Sequence, residues 1–303
     1  MLVKPYLALT TDRNKLPKSH PFSGAPEEWF INDILKQRSV FGVSFDFFVN
    51  WKNNTISNEF WVKRIVKDEY TPWPLTDKGI LQQKIYDCDG IEYVRVLSRF
   101  ASKYNVNLKY LLFKESNRWN DEMLIVSVAF NNKGEVYQVT EKNISDLKKD
   151  IKLLSGGSIS IGNKGLVYST STLEGYLSQT DAAWPGDADL IVLDKALNPV
   201  ALLEYKKHTL DTPMRDQKLS NYYPSKDRRK YDRLAILRSF LGEDTPFINI
   251  YYPTNPKFDI IKFEKIAGTF GALKSGEINE CYLPKNSSDY LKVVDNILKF
   301  FEK

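Results

Sequence analysis

The sequence predicts an α/β protein in which strands, two hairpins among them, alternate with helices. Apolar runs of strand length alternate along the chain with stretches of helical periodicity. Two pairs of such runs flank turn-forming sequences, AsnAsnLysGly at 131–134 and AspLysAlaLeuAsnPro at 194–199, as β-hairpins do. The chain also closes on a stretch, 287–302, whose Leu291, Val294, Ile297, Leu298 and Phe301 share one helical side.

Residues 25–35 read as a helix and 41–51 as an alternating strand. In 90–105, Ile91, Val94, Leu97, Phe100, Ala101 and Tyr104 stand at helical spacing, followed by an apolar strand at 108–113. Strands at 122–130 and 135–139 form the first hairpin. Ser145 is placed to cap a helix that runs to Leu154, where Gly156 and Gly157 stop it. A strand around 157–168 and a short helix at 169–179 precede the second hairpin, with strands 189–193 and 200–207. A helix over 226–241, capped by Ser225, presents Tyr231, Leu234, Ala235, Leu237, Phe240 and Leu241, and strands follow at 247–252 and 258–264. No internal repeat, low-complexity tract or linker is visible. The division expected is an N-terminal α/β region, 1–140, serving substrate recognition or dimerisation, and a core over 141–303.

Composition excludes several classes. No apolar run approaches the ~20 residues that span a bilayer, and the opening apolar stretch is too short for a secretory signal, so a cytoplasmic protein without membrane contact is expected. Cys88 and Cys281 lie far apart without CxxC spacing, which argues against zinc or iron–sulfur sites. His20 and His208 are the only histidines, which removes histidine-centred metal sites and disfavours a Ser/His/Asp triad. LeuSerGlyGly at 154–157 has no Walker A partner, and the glycines of 157–165 lack the GlyLysSer/Thr ending that cradles phosphate. A net charge of +5 permits nucleic-acid binding without demanding it. Basic residues concentrate between Lys206 and Arg233, interleaved with Tyr222, Tyr223 and Tyr231. Within that stretch Lys207, Arg215, Lys218, Arg228, Arg229 and Lys230 are the expected phosphate contacts.

The chemistry concentrates at 186–208. The second strand is apolar on both faces up to Leu203 and then ends in Glu204 and Lys206, which share a face because side chains alternate. If Leu193 faces Val200, then Ile191 faces Leu202 and Asp189 faces Glu204, with the two carboxylates roughly 5 Å apart at Cβ. Such a pair is costly at the end of a buried sheet unless a cation lies between them. A hard divalent ion meets that need, with Lys206 adding positive charge on the same face. Magnesium held by Asp189 and Glu204 can polarise a phosphoryl oxygen, while Lys206 positions or deprotonates the attacking water. GluxLys occurs only at Glu204, whereas the AspxLys triplets at Asp146, Asp150 and Asp216 fall on helices or loops and read as surface charge. Asp187 is a turn residue or a second acidic contact, Trp184 a packing residue, and His208 a surface residue.

GlyAspAlaAspLeuIleValLeu followed by AlaLeuLeuGluTyrLys resembles the motif of the PD-(D/E)XK nuclease superfamily, the restriction-endonuclease-like fold. The resemblance covers about 170–255. It implies a restriction-endonuclease-like mixed sheet flanked by helices, with Asp189 as the metal-binding aspartate and Glu204 and Lys206 as the ExK pair. Members commonly add a glutamate from the preceding helix, and Glu174 takes that position. The implied activity is Mg²⁺-dependent phosphodiester hydrolysis, with Mn²⁺ as an alternative ion, on double-stranded DNA as a restriction or defence endonuclease, and the resemblance admits a homodimer. The alternatives are a junction-, single-strand- or RNA-directed nuclease of the same superfamily and a non-catalytic nucleic-acid-binding module.

Overall fold

Alternating apolar residues in the two hairpins set the frame on which the other elements pack. In the computed structural model, which describes residues 1–17, 24–67, 72–162 and 165–301, the chain begins with β1 (Leu2–Val3), β2 (Ala8–Leu9), α1 (Pro26–Trp29), α2 (Asn32–Leu35), β3 (Phe41–Asn50) and β4 (Thr55–Val66). Then come α3 (Lys78–Asp89), α4 (Ile91–Lys103), β5 (Asn107–Phe113), β6 (Leu124–Phe130), β7 (Val136–Asn143) and α5 (Ile144–Leu154). Next are β8 (Tyr168–Ser169), α6 (Thr172–Leu177), β9 (Gly186–Leu193), β10 (Pro199–His208) and α7 (Arg228–Leu241). The chain ends with β11 (Phe247–Pro253), β12 (Ile260–Ala267), β13 (Lys274–Tyr282) and α8 (Tyr290–Phe301). This is a mixed α/β architecture with mixed sheet flanked by helices.

Two compact units make up the chain. The first comprises 1–17 and 45–187, the second the described parts of 18–44 and 188–303. β3 therefore belongs to the first unit from Phe45 onward and β9 to the second from Ala188 onward. The boundary expected near 140 lies inside β7, which leads straight into α5 within the first unit.

The first unit orders its strands β3-β4-β5-β6-β7. Only the β4–β5 pair is parallel, and the crossover this requires is supplied by α3 and α4. α4 buries Val94, Leu97, Phe100 and Ala101, and Phe100 meets Phe45 and Phe60 on one sheet face. The opposite face carries Phe48, Trp61, Leu111 and Phe113 against Ile144, Leu147 and Ile151 of α5. Asn143, not Ser145, caps α5, its side-chain oxygen accepting from the Asp146 N–H at 2.8 Å. Where a strand is expected over 157–168, the structure has an Ile159–Ala182 bridge and the two-residue β8, with 163 and 164 outside the described residues.

β9-β10-β11-β12-β13 is the strand order of the second unit, again with one parallel pair, β10–β11, bridged by α7. α7 buries Tyr231, Leu234, Leu237 and Leu241, with Tyr231 against Phe247 at 6.0 Å between ring centroids. The other sheet face, with Val192, Leu203, Ile250 and Phe263, is closed by Val294, Ile297 and Phe300 of α8 and by Trp29 of α1. The helix α7 starts at Arg228, preceded by Asp227, and Ser225 is not its cap.

Among the elements longer than two residues, β4, α3 and β13 escape the periodic reading. β4 reads ThrIleSerAsnGluPheTrpValLysArgIleVal, and its charges break the apolar alternation. It is a buried strand all the same, because Arg64 forms a two-pronged ion pair with the buried Asp89 at 2.7–3.0 Å. α3 buries only Leu81 and Ile85, and β13 is exposed along nearly all its length, so neither carries a clear pattern.

Candidate active site

The hairpin β9–β10 brings Asp189, Glu204 and Lys206 together at the end of its ladder. Ile191 pairs with Leu202 as expected, whereas Leu193 pairs with Pro199 rather than Val200 because the register shifts between Pro199 and Ala201. The last paired residues are Leu190 and Leu203. Beyond them the Asp189 carboxylate, instead of a strand carbonyl, accepts the Tyr205 N–H at 2.7 Å. The aspartate is thereby fixed beside the strand that carries Glu204.

Glu204 is fully buried, and its Oε2 has no hydrogen-bond partner among the described residues. Its contacts are ionic. Lys206 Nζ lies 3.0 Å and Lys230 Nζ 2.8 Å from the same oxygen, Oε1, and Lys230 also lies 3.7 Å from Asp189 Oδ1. An ionised carboxylate out of water is expensive unless compensated, and here two ammonium groups supply the compensation. Lys206 is itself held by Asp227 Oδ2 at 2.8 Å and sits 4.8 and 5.0 Å from the ring centroids of Tyr222 and Tyr231. Asp227, directly before α7, thus faces the lysine.

Two residues not singled out in the sequence join this group. Asn249 of β11 is the parallel register partner of Glu204, is fully buried, and its side-chain oxygen has no hydrogen-bond partner among the described residues. Glu27 of α1 keeps solvent contact, while burial pushes its carboxyl up and Lys207 and Lys230 pull it back. Glu27 and Asp189 both help raise Tyr205 and Tyr252, whose hydroxyls are first of all perturbed by burial. Glu27 thus lies within the electrostatic field of Lys207 and Lys230. A short helix with paired glutamates at its start was the only sequence signal for it, and Asn249 had none, sitting inside an apolar strand.

Glu174 stands in a different setting. It lies on α6 in the first unit, where its Oε2 accepts from the Thr170 N–H at 3.0 Å and lies 3.5 Å from Lys63. Lys63 also pairs with Asp46 at 3.6 Å and lies 5.0 Å from the Trp184 ring centroid. Burial pushes the Asp46 carboxyl up to about 6, with Lys63 opposing and Asp187 and Glu174 adding to the rise. Trp184 is packed against Trp61, as expected for a core residue. His208, expected at the surface, is buried with Nε2 2.6 Å from the Thr212 carbonyl. His20 lies outside the described residues.

Of the six expected phosphate contacts, Arg215, Lys218, Arg228 and Arg229 are exposed, and all six are in the second unit. Lys230 is turned toward the acids instead. Lys207 is half-buried, and burial lowers its ammonium while Glu27 opposes. The loop that carries Arg215 and Lys218 is anchored from below: Lys262 donates to the carbonyls of Arg215 and Gln217, and Glu264 accepts the Leu219 N–H at 3.0 Å.

Among the described residues, no three His, Cys, Asp or Glu side chains converge as a ready metal cage. The donor set still fits a hard divalent ion. Two carboxylates and the unpaired Asn249 oxygen are all oxygen ligands, and magnesium needs few protein ligands because it retains several waters. No helix among the described residues is long and apolar enough to cross a membrane. Comparisons with family models, with curated proteins and with solved structures give no match to this chain.

Proposed function

We propose that the chain is a metal-dependent nuclease that hydrolyses phosphodiester bonds in double-stranded DNA, as an endonuclease of restriction or defence type. The observation that carries this reading is the fully buried Glu204 carboxylate beside the Lys206 and Lys230 ammonium groups, the second of which also reaches Asp189. Asp189, Glu204 and the Asn249 oxygen would hold a Mg²⁺ or Mn²⁺ ion. When bound, the ion would supply Lewis-acid polarisation of the phosphate and acidify water.

The remaining chemistry belongs to the chain. Lys206, oriented by Asp227 and the two tyrosine rings, stands where an ammonium can align the attacking water and offset charge growing on phosphorus. Lys230 screens the acid pair until substrate and ion arrive. Arg228 and Arg229, on the exposed first turn of α7, bind the phosphate backbone and confer affinity without sequence information.

The contacts of Lys206 and Lys230 with Glu204 also favour a second reading, a charge-compensated, non-catalytic nucleic-acid-binding module. Incubating supercoiled plasmid with the protein in Mg²⁺, Mn²⁺ or chelator separates the two. Cleavage that needs the ion and is lost in Glu204→Gln and Lys206→Ala, with DNA binding retained, supports the enzyme. Ion-independent or absent cleavage refutes it. Parallel incubations with branched, single-stranded DNA and RNA substrates define the substrate class.

A further inference from the structure

The two units repeat one topology that the sequence conceals. In the order β3-β4-β5-β6-β7 and in the order β9-β10-β11-β12-β13, successive pairs run antiparallel, parallel, antiparallel, antiparallel. Each parallel step is bridged by a helical crossover, and each fifth strand leads on to a closing helix, α5 or α8. The third strands have 7 residues each, the fourth 7 and 8, the fifth 8 and 9, and the closing helices 11 and 12. Irregularities recur in place. The opening hairpin shifts register between Phe47 and Val49 in one unit and between Pro199 and Ala201 in the other, and the fourth strand does so at Ala129/Phe130 and at Glu264/Ile266.

The ladders and faces align the copies residue by residue. Phe60 pairs with Leu108 and faces the crossover helix through Phe100, and Leu202 pairs with Phe247, which faces the crossover helix through Tyr231. Two residues on, Val62 stands where Glu204 stands, and four on, Arg64 stands where Lys206 stands. The ring contacts differ in origin, Arg64 lying 5.7 Å from the ring centroid of Tyr110 on β5 and Lys206 5.0 Å from that of Tyr231 on α7. Because Asp46 pairs with Trp61, its neighbour Phe45 falls opposite Val62, the place Asp189 has opposite Glu204. Strand alternation puts Asp46 and Lys63 on the other face, so this acid–lysine pair is not the counterpart of Asp189 and Lys206.

We infer that the chain is a tandem duplication of one fold in which the first copy has lost its acids to Phe45 and Val62, leaving one catalytic centre per chain. A monomer therefore breaks one strand per encounter, and a double-strand cut needs a second chain or a second event. This rests on the nuclease reading above and sharpens it to a nicking activity.

The test uses the full chain at concentrations where mass photometry finds monomers only. Supercoiled plasmid should pass to open circle first, with linear product appearing only after a lag. Mn²⁺ uptake, read by electron paramagnetic resonance, should be lost in Glu204→Gln together with all nicking, and Asp46→Asn should keep both. Linear product formed by monomers without the open-circle stage, residual nicking in Glu204→Gln, or Mn²⁺ still taken up by that variant would each overturn the single-centre inference while leaving nuclease activity standing. A wild-type chain that neither cuts nor takes up Mn²⁺ overturns the nuclease reading itself, and the inference with it.

Discussion

Lys230 is the residue whose removal best separates charge compensation from ion binding. Its ammonium is 2.8 Å from Glu204 Oε1 and 3.7 Å from Asp189 Oδ1, and Lys206 lies 3.0 Å from the same Glu204 oxygen. Replacement by Met keeps most of the apolar stem and deletes the charge. Taking one partner from a wholly buried ion pair costs about 3–5 kcal/mol. The Lys230 side chain is 31% exposed and Lys206 stays in place, so screening and the second cation cut the cost of Lys230→Met to about 1–2 kcal/mol. In a thermal unfolding experiment with chelator that corresponds to a fall of about 2–3 °C for a chain of this length. Magnesium should then act more strongly on the variant than on the parent, because it no longer competes with an ammonium for the same carboxylate. For an ion at ten times its dissociation constant, linkage stabilises the fold by about 1.4 kcal/mol, enough to recover most of the loss. Two melting curves for each protein, with MgCl₂ and with chelator, suffice. A magnesium shift in Lys230→Met no larger than in the parent would refute the assignment of Asp189 and Glu204 as the ion's ligands.

Other expectations are as direct. Replacing Arg228 and Arg229 together by Ala should weaken binding to every duplex alike and flatten the plot of log affinity against log salt by about 0.9 for each phosphate no longer neutralised; weakening confined to particular sequences would show base reading instead. The Asp46 carboxyl titrates near 6 in the fold against 3.8 ordinarily, so the folded chain favours the protonated form. The stability this contributes is full below pH 3.8 and lost as pH rises through 6, by at most about 3 kcal/mol. Asp46→Asn should remove that slope in denaturant titrations between about pH 4 and 7, and an unchanged slope would count against the burial argument. Leu203→Ala, in the fully buried centre of β10, should cost about 2–5 kcal/mol by urea unfolding. Tyr282→Ala, at a side chain 71% exposed, should change it by less than about 0.5 kcal/mol.

The strands and helices with one clean period were legible without coordinates, because hydrophobic spacing is a local property. β9, β10, β11, α4, α7 and α8 fall where apolar residues recur at strand or helix intervals. The convergence of Asp189, Glu204 and Lys206 was equally legible, since a hairpin turn and the alternation of side chains place them on one face whatever the rest of the chain does. Where charge interrupts the pattern, local reading fails, and β4 keeps Arg64 buried in its ladder because Asp89, distant in sequence, neutralises it.

What tertiary structure alone decided is the company each charge keeps. Lys230 looks like any basic residue of an amphipathic helix, and only the docking of α7 on β10 turns it toward Glu204. Asn249 sits in an apolar run and becomes a candidate ligand through parallel pairing with Glu204. Glu174 and Glu27 are interchangeable helix glutamates in sequence, and the fold pairs one with Lys63 and sets the other in the field of Lys207 and Lys230. The repeat is hidden for the same reason. Strand order and pairing sense are kept by backbone geometry, which many side chains satisfy, whereas Phe45 and Val62 share no chemistry with Asp189 and Glu204. Residue identity determines local form; which distant residues meet is set by the packing that removes the most apolar surface from water.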